Sequence, residues 1–339
     1  MARYDPGMER AIVDDAREIS PPVWRRLVGT AGGVFLGGVL LIAAWAKMLD
    51  PQAFARTIAA EGLDFLLPAG AVALIALAIE VALGGALVLG LRRPWVLWPS
   101  AALVVFFLFL TGRAYWRFAH GELPADAGCG CFGNLVERTP AEAFWQDLLL
   151  MVPALALAFA GRGDGGRRPR LRLALVGVAT AAALVFAWRA PELPIDDLAT
   201  RLKKGVAAAE LCAGSAEDGT EVCLDRIVPE LAQGEHLVVI SELDEEEFLA
   251  RVEAMNDYVW NGGEPPLWVI SAADEETRFG FRFSHAPRFE VREAPAPLLR
   301  PLYRTLPRSF RVRDGVVVET YRGLPPPFAA AVADGAGSL

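Results

Sequence analysis

Leu27–Leu49 reads LVGTAGGVFLGGVLLIAAWAKML, and a single charge, Lys47, interrupts it. At about 1.5 Å of rise per residue, a helix of this length covers a hydrocarbon core of roughly 30 Å, so the stretch is expected to span a membrane. Three more runs of the same kind follow at short intervals. Pro68–Leu91 carries Glu80, Pro94 to about Trp116 carries Arg113 near its far end, and Ala143–Ala160 opens with Asp147 in its first turns. Leu173–Ala190 is shorter and is expected to be a fifth span. Between the first two spans, Asp50–Leu67 mixes polar and apolar residues behind Asp50-Pro51, the pattern of a loop or of a short helix lying at the membrane surface.

These spans divide the chain. Residues 1–26 are a polar N-terminal segment, 27–160 a four-helix membrane domain, 161–172 an Arg-rich linker, 173–190 the fifth helix and 191–339 a soluble domain. The polar start, Met1–Trp24, does not have the form of a cleavable signal peptide. Composition agrees with the division. The chain is 54% hydrophobic with a mean hydropathy of +0.33, too apolar for one soluble domain. From Glu192 onward there are 26 acidic and 15 basic residues, against 15 acidic and 18 basic before it. An acidic soluble part with no basic face argues against nucleic acid as a partner. The lipid bilayer is the partner that the spans imply.

Arginine places the ends of the spans. Arg25-Arg26, Arg92-Arg93 and the linker arginines, Arg162 to Arg172, share one side if the spans alternate, and the excess of basic residues in cytoplasmic loops assigns that side to the cytoplasm. The loop from Arg117 to about Glu142 and everything after Ala190 are then expected outside, in the periplasm of a bacterial inner membrane protein whose N-terminus is cytoplasmic.

That outer loop holds Cys129-Gly130-Cys131-Phe132-Gly133. Two cysteines one glycine apart close only a small, strained ring, and strained disulfides exchange more readily than structural ones. A redox-active pair is the leading reading. A static bridge that pins the loop, and a soft-metal site completed by His120, stay open beside it. Lys47, Arg113 and Asp147 are expected in the outer leaflet near the pair, where cationic neighbours raise the thiolate fraction. Snorkelling of Lys47 and Arg113 to the headgroups is the plainer alternative. Glu80, about 12 residues into its span, is expected roughly 18 Å deep and packed against other helices.

The cysteine pentapeptide, with Trp45-Ala46-Lys47 followed by Asp50 and Phe54, Glu80 with Gly84, and Asp147, resembles the MauE family of methylamine utilisation membrane proteins, grouped with the DoxX-like proteins, over roughly residues 27–160. The resemblance implies a four-helix membrane unit and a part in maturing a periplasmic, disulfide-rich methylamine dehydrogenase. It leaves open whether the chain is itself a thiol–disulfide oxidoreductase or an accessory maturation factor. A bilayer quinone is the electron carrier that such a role would call on, and no resident metal is expected.

From Pro191 the chain reads as α/β. Strands are expected at His236–Ser241, Leu267–Ser271, Phe289–Arg292, Phe310–Val312 and Val316–Tyr321, with helices over Glu245–Val259 and Asp274–Phe283 and a turn at Arg313-Asp314-Gly315. The β-α-β-α-β-β order resembles thioredoxin-like domains over about Glu210–Leu324, and Pro307 stands where that fold carries its cis-proline. The usual Cys-x-x-Cys position reads Ser241-Glu242-Leu243-Asp244, so the domain is expected to be degenerate and to bind rather than exchange. Cys212 and Cys223, on either side of Asp218-Gly219, are expected to form a structural disulfide, with a relay pair serving the membrane cysteines as the alternative.

Overall fold

The computed structural model describes residues 23–122, 138–163, 169–214 and 221–328. Five of its helices are long and apolar enough to cross a membrane: α1 (Val23–Leu49), α3 (Ala69–Val88), α4 (Pro94–Ala119), α5 (Pro140–Ala160) and α6 (Pro169–Arg189). The Asp50–Leu67 stretch contains the short helix α2 (Pro51–Ala60), because the Asp50 side chain accepts a hydrogen bond from Ala53 N and Pro51 occupies the first helical position. Three spans start earlier than their apolar runs suggest, α6 among them at Pro169. α1 extends back over Arg25 and Arg26, and α5 begins at Pro140 behind a Thr139/Glu142 capping box.

α1 forms the middle of the bundle, with Leu36 and Leu40 fully buried. Its glycines allow neighbours to approach closely. A Cβ added to Gly37 would stand 2.6 Å from the Gly84 carbonyl oxygen of α3, too near for any larger residue. Such small-residue seams pack helices where burial from water supplies no driving force. α6 is the most peripheral span. It lies along α3, and its Phe186 stacks on Trp45 at 5.7 Å.

The arginine-bearing connections gather at one end, where Arg92 Nη1 donates to Thr30 Oγ1 at 2.6 Å and Gly163 N donates to Arg92 O. Exposed tryptophans ring both ends, Trp24, Trp95 and Trp98 at the arginine end and Trp45, Trp116, Trp145 and Trp188 at the other. That is the usual distribution at membrane interfaces. The protein is therefore multi-pass.

The C-terminal part is a mixed α/β domain. Two short strands, β1 (Cys212–Ala213) and β2 (Val222–Cys223), pair antiparallel. A second sheet consists of β3 (Glu235–Ile240), β4 (Leu267–Ser271), β5 (Glu290–Glu293), β6 (Arg308–Arg313) and β7 (Val316–Arg322), in the order β5-β4-β3-β6-β7. β3, β4 and β5 run parallel, and β6 runs antiparallel to both β3 and β7. β3 is apolar from Leu237 to Ile240 because both of its faces are covered there. Val238 and Ile240 pack in one core with Phe310, whereas Leu237 and Val239 pack in the other with Phe248 and Phe281. The helix expected over Glu245–Val259 is two helices, α8 (Glu246–Leu249) and α9 (Val252–Trp260), because Arg251 leaves helical angles at φ −116° and ψ 0°. A four-residue helix, α7 (Asp196–Ala199), precedes the sheet, and α10 (Glu275–His285) joins β4 to β5. The β6–β7 turn forms as read, with positive φ at Asp314 and Gly315.

Candidate functional site

At the end of the bundle away from the arginines, α4 runs out and α5 begins, and the chain between them carries Cys129 and Cys131. Both cysteines lie outside the described residues. Beneath that end is a layer of charge. Lys47, in the last turn of α1, is 2% exposed and forms an ion pair with Glu80, which is 1% exposed. The Lys47 ammonium lies 4.8 Å from the Phe54 ring of α2 and 5.1 Å from the Phe107 ring of α4, so two aromatic faces share its charge. Glu80 Oε2 has no hydrogen-bond partner among the described residues. Asp147, equally withdrawn from solvent, is held by Arg138 at 3.2 Å and lies within electrostatic reach of Lys47.

The Lys47 side chain turns into the bundle and does not snorkel outward, which sets aside the plainer alternative for it. Glu80 is buried against other helices as expected, and the lysine reaches down the groove between α1 and α3 to meet it. Arg113 stands apart from the layer and pairs with Glu61, just beyond α2, at 3.2 Å. Phe54, Phe107 and Arg138 therefore join Lys47, Glu80 and Asp147. No local pattern announces Phe107 or Arg138, since both meet their partners only through packing. His120 keeps its Nδ1 within 2.7 Å of Trp116 O and its ring against the Trp116 indole.

The α/β domain meets the bundle at the same end. Asp50, capping α2, is buried, and burial pushes its carboxyl above the usual range. Its hydrogen bond from Ala53 and the charges of Arg56 and Arg304 pull the other way. Arg304 is 3% exposed, donates to Leu193 O at 3.3 Å and to Ala190 O, and faces Asp196 at 3.7 Å. Next to it, the Tyr303 hydroxyl donates to Glu242 Oε1 at 3.2 Å, and burial followed by the Glu242 charge pushes its pKa to about 12. Glu242 belongs to Ser241–Asp244, where Ser241 bonds Glu245, Glu242 N bonds Glu245 Oε1 at 2.8 Å, and Leu243 has φ 72°. Pro307, just before β6, follows a cis peptide bond. Cys212 and Cys223 form a disulfide between β1 and β2.

The Asp50 environment sets a pH dependence. A carboxyl whose pKa is raised on folding favours the folded state below its ordinary value, near 4, and loses that contribution as pH rises through the raised value. Thermal stability of the full chain is therefore expected to fall as pH rises through this window. Asp50→Asn, an equally good helix cap, is expected to flatten that slope. Identical slopes for the two proteins would show that Asp50 is not the group responsible.

Residues 25–160 match the family model described as methylamine utilisation protein MauE. The match runs from the start of α1 to the end of α5 and includes none of the α/β domain. A search of curated proteins finds no match.

Proposed function

Taking residues 25–160 as a MauE-family membrane region, we propose that the chain is a membrane-bound thiol–disulfide redox protein that helps an extracytoplasmic client acquire its disulfides or mature. In each cycle the Cys129–Cys131 disulfide takes two electrons and two protons from a client dithiol. The client disulfide closes as the Cys129–Cys131 bond opens, and a bilayer quinone would supply the oxidising power that closes that bond again. The arginine-bearing end is the cytoplasmic one by the positive-inside rule, which puts the cysteine segment and the α/β domain in an oxidising compartment. The family's printed description names methylamine utilisation, and the resemblance noted in the sequence makes a methylamine dehydrogenase-like protein the first client to test.

The observation that carries this reading is the Lys47–Glu80 and Asp147–Arg138 layer, sealed in the bundle at the end from which α4 and α5 lead to the cysteines. Paired charges inside a membrane are costly and as a rule serve a function. The strand order β5-β4-β3-β6-β7, with Pro307 just before β6, supports a thioredoxin-like α/β domain. Its thiol-free Ser241–Asp244 turn supports a docking role for it.

Cys131→Ser leaves Cys129 unable to resolve a mixed disulfide. In intact cells, non-reducing electrophoresis of this variant is expected to trap an adduct with an extracytoplasmic protein, and Cys129→Ser, Cys131→Ser together is expected to lose it. Absence of any adduct counts against the redox reading. A second reading, a scaffold whose α/β domain binds the client, draws on the same Ser241–Asp244 turn. It prevails if the double cysteine variant keeps full activity while deletion from Pro191 onward abolishes it.

A further inference from the structure

The Cys212–Cys223 bridge has a neighbour that a structural disulfide does not require. Cys212 and Cys223 face each other in register across β1 and β2, and Glu221 directly precedes β2. The two sulfurs and a Glu221 carboxylate oxygen all lie within 4.8 Å of one another. Glu221 and Cys223 stand two apart on an extended segment and so share a face, which sets the carboxylate beside the sulfurs. Cys212 and Glu221 are half-buried, which leaves the group reachable from solvent.

Arg201 Nη1 donates to the Cys212 carbonyl oxygen at 3.0 Å and Arg226 Nη1 to the Glu221 carbonyl oxygen at 2.9 Å, which ties down the backbone on either side of the group. Cys212 Sγ is also 3.0 Å from Ala209 O, a contact that becomes a hydrogen bond only when the sulfur carries a proton.

We propose that Cys212, Glu221 and Cys223 form a redox-gated site for one thiophilic metal ion of the Zn²⁺ or Cu⁺ class, closed by the disulfide and opened by reduction. A dithiol reductant supplies the two electrons and two protons. Its own disulfide closes as the Cys212–Cys223 bond breaks, leaving two thiols. The incoming metal then displaces both protons and takes two sulfur ligands and one oxygen ligand. Two thiolates and a carboxylate leave a fourth tetrahedral position for water or an exchanging ligand, which suits a site that loads and releases its ion.

The test uses the full chain in detergent with Cys129→Ser and Cys131→Ser, so that only the proposed ligands remain as thiols, and Cd²⁺ as the probe. Oxidised protein is expected to take up no Cd²⁺. After reduction by a dithiol and its removal, one Cd²⁺ per chain is expected with a sulfur-to-metal charge-transfer band. Cys223→Ser should abolish the band, and Glu221→Gln should weaken affinity by about tenfold or more. Circular dichroism follows the fold throughout. The proposal is overturned by reduced, folded protein without the band, by an affinity unchanged in Glu221→Gln, or by Cd²⁺ uptake equal to that of the denatured chain. None of these outcomes depends on the membrane cysteines, so this site and the redox reading stand or fall separately.

Discussion

Glu80→Ala is expected to destabilise the membrane bundle by about 3–5 kcal/mol, whereas Lys47→Met combined with Glu80→Leu is expected to leave it as stable as the parent or more so. The asymmetry follows from burial. Lys47 and Glu80 are both almost fully withdrawn from solvent, so removing the carboxylate strands an ammonium among apolar helices. The Phe54 and Phe107 faces, at about 5 Å, soften that penalty without replacing a counter-charge. Removing both charges eliminates the desolvation cost along with the attraction. Unfolding of the parent, Lys47→Met, Glu80→Leu and the double variant in one detergent gives the coupling energy directly. If the double variant is as unstable as Glu80→Ala, the pair is not a compensated one. If it is stable but inactive, the charges are retained for function.

The sequence carried the membrane fold clearly and this pair only in part. Long apolar runs and Arg25, Arg92 and Arg172 at their ends mark the spans without reference to anything distant. β3 was equally legible, since a strand apolar at every position from Leu237 to Ile240 needs cover on both faces. Helix depth placed Glu80 in the buried interior without naming its partner. Counting residues places the Cα of each charge, but the lysine side chain spans more than a helical turn, and the register of α1 on α3 is set by Gly37 meeting Gly84. The partner of Arg113 was illegible for a related reason. α2 folds back along the bundle end and brings Glu61 to it, which the Asp50-Pro51 cap hints at but cannot direct. The junction with the α/β domain was illegible. Arg304 meets the carbonyl of Ala190 across 114 residues, and no local pattern encodes such a meeting.

That junction yields the second large effect. Arg304→Met is expected to cost about 3–5 kcal/mol, because it leaves the Asp196 carboxylate and the Ala190 and Leu193 carbonyls buried without their donor. Arg304→Lys should recover only part of the loss, since an ammonium cannot present a planar fork to two carbonyls and a carboxylate at once. Arg308, 3.3 Å from Asp197 and 3.9 Å from Asp196, limits the damage to the local fold. The loss should therefore appear first as release of the α/β domain from the bundle. Limited proteolysis is expected to cut Arg304→Met between Ala190 and Asp196 under conditions that spare the parent. Hydrogen exchange should rise in α2 and around Glu242, where Tyr303 and Arg56 come together. Loss spread evenly over the sheet, with α2 unchanged, would mean that Arg304 serves the domain core and not its attachment. The distinction bears on the docking role proposed above, because Glu242 of the Ser241–Asp244 turn bonds Tyr303, which lies within electrostatic reach of Arg56 of α2, and only an attached domain keeps them together.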